Sequence, residues 1–132
     1  MRTYHKDGTQ AAPDEIFVFG SNLAGRHGAG AAKAALHHYG AKYGEGIGEQ
    51  GRSYAIPTKD EHIQTLPIEL IKPHIDEFIR QAGHLFNTRK YFVTRIGCGL
   101  AGYTDEQIAP LFREAPYSNM SFPEEWKPYL ED

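Results

Sequence analysis

The stretch EIFVFGSNLAGRHGAGAA, residues 15–32, decides the fold of this chain. Its first five residues are mostly apolar, and their β-branched and aromatic side chains predict a buried strand that stops at Gly20. A glycine-rich turn, residues 25–30, comes next. The alanine-rich segment 29–39 then favours a helix, with Gly40 where a left-handed cap belongs. The order of strand, glycine turn and helix is typical of α/β domains.

The same order recurs further along the chain. Residues 89–96 predict a strand, and Thr104 with Gln107 predicts a capping box that starts a helix with acidic first-turn residues. Six residues form the turn between them: Gly97, Cys98, Gly99, Leu100, Ala101 and Gly102. Glycine allows a close backbone approach and the following helix presents unpaired N–H groups, so two such turns predict a cradle for a diphosphate. Each turn taken alone is equally well explained by packing of a helix against a strand.

Composition narrows the class of protein. The 132 residues predict a single domain, residues 1–132, and the formal charge of -3 without a basic run argues against bulk electrostatic binding of duplex nucleic acid. The single cysteine excludes an internal disulfide, and no apolar run is long enough to span a bilayer. With no leader at Met1 in addition, we expect a cytoplasmic protein without a membrane partner.

The middle of the chain contributes a second candidate strand and a loop. Four glycines in residues 44–51 predict a loop that is either mobile or ordered by ligand, and residues 53–56 predict a strand that ends at Pro57. Thr58 and Lys59 follow directly, at the end of a strand where open α/β sheets bind ligands. A long amphipathic helix comes next, with Pro73 as its kink or true start. Its apolar face is predicted to comprise Ile71, Ile75, Phe78, Ile79, Ala82 and Phe86. The tail 117–132 has no clear period.

Standard cofactor and metal motifs are absent from the sequence. Lys33 stands where a dinucleotide fingerprint needs Gly or Ala, and no P-loop motif occurs. His37 and His38 are adjacent on a predicted helix and therefore point apart, so we expect no metal site and no resident cofactor.

Three blocks of the sequence together resemble a macrodomain. These are residues 27–32 running into Tyr39 and Gly40, residues 54–59, and residues 94–100. In order and spacing they are similar to the branch that includes terminal ADP-ribose protein glycohydrolase and the macrodomain antitoxins that remove ADP-ribose from DNA. The resemblance covers residues 16–112, most of the chain.

This resemblance implies a three-layer α/β sandwich with a mixed sheet flanked by helices. It implies that the diphosphate of ADP-ribose lies between the two glycine turns and that the distal ribose points toward Lys59, the nucleophile of that branch. In addition to the six residues of the second turn, the predicted ligand-binding residues are then Asn22, Gly28, Ala29, Gly30, Thr58 and Tyr103. From the residues alone, Asn22 is also an ordinary turn residue and Tyr103 a core aromatic. Cys98 is better explained as a small buried filler than as a reactive thiol.

At one position the residue differs from the one that is typical of this branch. The carboxylate that helps to release the product there is matched by Ala101, which cannot move a proton. Asp105 or Asp60 are the candidate substitutes, although Asp105 also suits a helix first turn and Asp60 a loop. The chain is therefore predicted to bind an ADP-ribose-type nucleotide, with an ADP-ribosylated protein or nucleic acid as the partner if it hydrolyses the linkage. A non-catalytic sensor and an interaction module on the same scaffold are the alternatives.

Overall fold

Six strands form one mixed sheet in a computed structural model that describes residues 2–116 and 118–131. Their bounds are β1 Thr3–His5, β2 Glu15–Asn22, β3 Gly48–Gln50, β4 Ser53–Lys59, β5 Lys90–Val93 and β6 Met120–Pro123. The order across the sheet is β1-β6-β5-β2-β4-β3, and every neighbouring pair is parallel except β3 with β4. The central strands are therefore parallel, as in α/β domains with both faces covered.

Helices cover both faces of this sheet. In the described residues they are α1 Gly30–His38, α2 Ile68–Ala82, α3 Asp105–Ile108 and α4 Lys127–Leu130, with 3-10 turns at Ala109–Phe112 and Glu124–Trp126. Alternate residues of β2 point to opposite faces. Phe17 and Phe19 pack with α1, whereas Ile16 and Val18 pack with α2 and the C-terminal elements. The expected α/β sandwich with a mixed sheet flanked by helices is thus confirmed.

The larger core lies on the α2 face. Ile71, Ile75 and Phe78 of α2 are fully buried there, together with Phe112 and Trp126. Burying each side chain of this size contributes about 1.5–3 kcal/mol. The C-terminal segment, for which the sequence shows no period, is therefore part of the main core.

One prediction about α2 is wrong, and one of the two alternatives for Pro73 is excluded. The helix ends at Ala82 with Gly83 as its C-cap, so Phe86 lies beyond it and is 81% exposed rather than in the core. Pro73 lies inside the helix instead of marking its start, because Pro67 is the N-cap. The capping box of Thr104 with Gln107 is confirmed, and the helix that follows is short and continues as a 3-10 turn at Pro110.

Three strand boundaries also differ from the prediction, and one of them is that of the strand predicted over residues 89–96, which is β5 and ends at Val93. β2 continues through Gly20 to Asn22, and β4 continues through Pro57 to Lys59. Proline is tolerated because β3 pairs only with residues 53–55 of β4, which leaves that side of the strand as an edge at Pro57. The loop predicted over residues 44–51 contains β3 itself. Gly40 has φ of 75°, as its expected role as a left-handed cap requires.

No helix in the described ranges has the length and apolar character needed to span a membrane.

Candidate functional site

A cleft of about 840 Å³ opens at the carboxyl ends of β2, β4 and β5. The chain leaves β2 toward α1 on one face and leaves β4 toward α2 on the other face. Divergent connections of this kind create a crevice at the sheet edge, which is where α/β proteins bind ligands.

The first glycine turn is held rigidly at one wall of the cleft. The Asn22 side chain closes it, with Nδ2 donating to the Arg26 carbonyl at 3.0 Å and Oδ1 accepting from the Arg26 N–H at 2.9 Å. His27 is buried, and its Nε2 lies 3.0 Å from the carbonyl oxygen of Glu45. A Cβ at Gly25 would collide with the backbone of the 44–45 turn, so this position requires glycine. Asn22 thus shapes the turn as well as lining the cleft.

The exposed part of that turn leads into an uncapped helix start. Gly28, Ala29 and Gly30 line the cleft, and Ala29 makes no side-chain cap to α1. The first turn of α1 contains no acidic residue. A Cβ at Gly28 or Gly30 would meet no atom of the described residues within 4 Å, so the wall is open there. Unpaired N–H groups at a helix start attract an anion.

The second glycine turn forms the opposite wall. It is fixed at its ends, because the Tyr103 N–H donates to the Gly97 carbonyl at 2.8 Å and the Thr65 hydroxyl donates to the Ala101 carbonyl at 3.0 Å. Gly97 has φ of 77° and packs against Ile108, whereas a Cβ at Gly99 would meet no atom within 4 Å in the described part of the chain. Within the described residues, four backbone N–H groups of this turn donate to no protein acceptor: those of Gly97, Gly99, Leu100 and Ala101.

Three cations line the cleft: Arg26, Lys59 and Arg95. Among the described lining residues Asp7 is the single carboxylate, and it lies 3.6 Å from Arg95 Nη1. The Lys59 ammonium has no hydrogen bond or ion pair to any described residue. The cleft therefore favours a ligand that carries negative charge.

An aromatic wall closes the other end of the cleft. Phe17, Tyr39 and Phe92 line it, and the rings of Phe17 and Tyr39 are stacked with centroids 4.2 Å apart. His5 stacks on Phe92 with centroids 3.7 Å apart, and burial lowers the pKa of His5 to about 4, so this ring is neutral at physiological pH. Planar apolar walls of this kind suit a base or another flat ring.

Most of the sequence-predicted site residues meet in this cleft. Asn22, Thr58, Lys59, Gly28, Ala29, Gly30, Gly97, Cys98, Gly99, Leu100 and Ala101 all line it. Gly102 and Tyr103 do not belong to the lining, and the Tyr103 hydroxyl donates to the Leu66 carbonyl. Thr58 is 4% exposed and its hydroxyl donates to the Ser21 carbonyl, which leaves little of it for a ligand.

Asp105 lies outside the lining and binds neighbouring side chains. It accepts from Arg95 through both carboxylate oxygens, at 3.0 and 2.7 Å, and from Trp126 Nε1 at 2.8 Å. Burial alone would raise the pKa of Asp105, but these hydrogen bonds outweigh it and keep the pKa below its ordinary value. The geometry favours Asp105 as the residue that orients Arg95 toward the cleft.

Cys98 lines the cleft as a half-buried thiol. Burial, together with the neighbouring Asp105 carboxylate, raises its pKa to about 12, so the thiol is protonated at neutral pH. Among the described residues no cluster of His, Cys, Asp or Glu side chains has the arrangement of a metal site.

Some cleft residues were missed by sequence reasoning. Arg26 lies inside the first quoted turn and Arg95 lies two residues before the second, and both could have been found by their charge. Asp7 and the 8–10 segment follow β1, which has no recognisable pattern in the sequence, and nothing local indicates that they reach the cleft.

Comparison with known proteins identifies no relative: no family model matches the chain, and no curated protein or solved structure is significantly similar to it.

Proposed function

We propose that this protein binds ADP-ribose or a closely related NAD-derived nucleotide. The observation that carries the proposal is one cleft that combines two open glycine turns and three cations with an aromatic wall. Its volume of about 840 Å³ lies in the range of small-molecule sites.

The diphosphate is proposed to lie between the two turns. The start of α1 and the N–H groups of residues 99–101 supply donors from opposite walls, and Arg95 supplies an oriented guanidinium. Charge-assisted hydrogen bonds to phosphate are about twice as strong as neutral ones, so this set favours a diphosphate over a neutral ligand.

The base is proposed to lie against Phe17, Phe92 and Tyr39. Asp7 stands at the same cleft and supplies an acceptor for an exocyclic amino group, and adenine carries such a group. The distal ribose then lies toward Lys59, at the end of β4.

Hydrolysis of an ADP-ribosyl linkage is the second candidate function, and the unpaired amine of Lys59 favours it. In that reaction Lys59 Nζ gives up a proton to water and bonds to the anomeric carbon while the bond from that carbon to the acceptor breaks, and the acceptor takes up a proton from water. A second water then releases ADP-ribose from the lysine. An ADP-ribosylated protein or nucleic acid would be the substrate. Ala101, in place of a carboxylate, favours binding without turnover.

A thermal-shift series with ADP-ribose, ADP, AMP and ribose tests the binding proposal. At a ligand concentration of 100 Kd, stabilisation is about 2.7 kcal/mol, which is roughly 10 °C for a domain of this size. We expect shifts to decrease from ADP-ribose to ADP to AMP, and none for ribose. No shift with any nucleotide, together with a stable oligomer or partner complex, would favour an interaction module.

Replacement of Lys59 tests the catalytic candidate. If the protein turns over an ADP-ribosylated substrate, Lys59→Ala abolishes turnover and leaves ADP-ribose affinity within about fivefold, because a partly solvated charge such as that of half-buried Lys59 contributes about 1 kcal/mol. Lys42→Ala, an exposed lysine outside the cleft lining, is the matched control. Undiminished turnover in Lys59→Ala would refute the role of this residue.

A further inference from the structure

A second, basic groove lies on the outer side of α1, directly beside the cleft. Its volume is about 370 Å³, and its lining residues are Gly30, Lys33, Ala34, His37 and His38. Three of them, Gly30, Ala34 and His38, also line the cleft. They are four residues apart, so they form one ridge along α1 between the two depressions.

The groove carries basic side chains without acidic partners. Lys33, His37 and His38 are exposed, and none of them forms an ion pair with a carboxylate of the described residues. Among the residues that the structure describes, no acidic side chain belongs to the groove lining or to the first turn of α1. The surface therefore attracts an anion, and Lys33 supplies three N–H donors to it.

The position of the groove relative to the cleft indicates where that anion would be attached. In the proposed function, the diphosphate lies at the start of α1, near Gly30. The base lies near Tyr39, which makes an edge contact with His38. The helix from 30 to 38 is about 12 Å long at about 1.5 Å per residue. The sugar between base and diphosphate then lies beside Ala34, in the middle of the ridge. A substituent on that sugar would cross the ridge toward Lys33 and His37.

We infer that this groove binds a phosphate monoester carried on the adenosine ribose of the ligand. The inference rests on the proposed function and deepens it, because it selects the NADP-derived form, 2′-phospho-ADP-ribose, or its 3′ isomer over ADP-ribose. Both isomers share the same chemistry, a doubly charged phosphate beside Lys33 and His37, and differ in the sugar oxygen that carries it.

Calorimetric titration at constant ionic strength tests the inference with three ligands: ADP-ribose, 2′-phospho-ADP-ribose and 3′-phospho-ADP-ribose. We expect one phosphorylated isomer to bind at least about fivefold more tightly than ADP-ribose. In Lys33→Gln the gain should disappear while the affinity for ADP-ribose itself changes less than twofold. Lys72→Gln, which removes the same charge from α2 on the opposite face of the sheet, should keep the gain.

The outcomes separate the two proposals. Binding of ADP-ribose with no gain for either phosphorylated isomer overturns the inference and leaves the proposed function standing. A gain that persists in Lys33→Gln overturns the assignment to this groove. Failure of all three ligands to bind overturns the proposed function and the inference together.

Discussion

Two alanine substitutions in the second glycine turn should separate folding from ligand binding. Gly99 lines the cleft, has an ordinary φ, and a Cβ there would meet no atom within 4 Å. Gly97 has φ of 77°, and its Cβ would lie 3.2 Å from Ile108 Cδ1. The first substitution therefore fills space that the proposed diphosphate needs, and the second strains the protein itself.

The magnitudes follow from these two geometries. Gly97→Ala places a side chain in the left-handed region, at a cost of about 1–2 kcal/mol, and adds a tight contact, so we expect about 1–3 kcal/mol of destabilisation. At about 4 °C per kcal/mol, the melting temperature should fall by roughly 4–12 °C. Gly99→Ala should change it by less than about 2 °C, yet reduce ADP-ribose affinity at least about tenfold by keeping phosphate away from the backbone N–H groups.

Differential scanning calorimetry and titration calorimetry on the same preparations check both effects. Gly28→Ala is a matched test on the first turn, because a Cβ there would also meet nothing within 4 Å. Wild-type affinity in both Gly28→Ala and Gly99→Ala, with melting temperatures unchanged, would refute the close approach of phosphate to the two turns. A normal melting temperature in Gly97→Ala would refute the strain argument.

Two further predictions concern the residues behind the cleft. Asp105→Asn should lower stability at pH 7 by about 1–3 kcal/mol, since Arg95 and Trp126 lose a charged acceptor. The Asp105 pKa is lower in the folded state, so this contribution is complete above the unfolded pKa of about 3.9 and is lost as the pH falls through the folded pKa. The melting temperatures of the two proteins should therefore converge as the pH is lowered from 7 to 3. A difference in melting temperature that widens on acidification would contradict the assignment. Cys98, with its pKa of about 12, should be alkylated by iodoacetamide at least about tenfold more slowly than glutathione at pH 8, and more slowly still with ADP-ribose bound. Rapid alkylation of the folded protein would show that the thiol is accessible and ionised, and the denatured protein serves as the control for full reactivity.

The parts of the fold that could be predicted are those with a local signal. β2, α1, α2 and the Thr104 capping box each have a run, a period or a cap in neighbouring residues, and the structure contains all four. Both glycine turns reach the cleft for the same reason, because glycine marks where the backbone turns after a strand.

The parts of the fold that could not be predicted depend on pairing between residues that are distant in sequence. β1 and β6 have three and four residues and pair with each other in parallel across the length of the chain. Segments so short show no period, and β6 is buried throughout, so no alternation indicates a strand. Phe86 was assigned to the core because the helical spacing was extended beyond Gly83, where the helix ends.

In the candidate site, too, residues with a local signal could be predicted and residues whose contacts depend on the tertiary fold could not. Lys59 could be located from the strand that precedes it, but the roles of Asp105 and Asp7 could not. Asp105 looks like a first-turn acid in sequence, and its pairing with Arg95 and Trp126 depends on the tertiary fold. Asp7 reaches the cleft only because β1 is at the sheet edge beside β6.

Titration calorimetry of the wild-type protein with ADP-ribose tests the central claim most directly. We expect saturable binding with one site per chain, weakened at least about tenfold in Gly99→Ala. Absence of heat with ADP-ribose over a range of temperatures, with no change in melting temperature, would contradict the assignment of the cleft to this nucleotide.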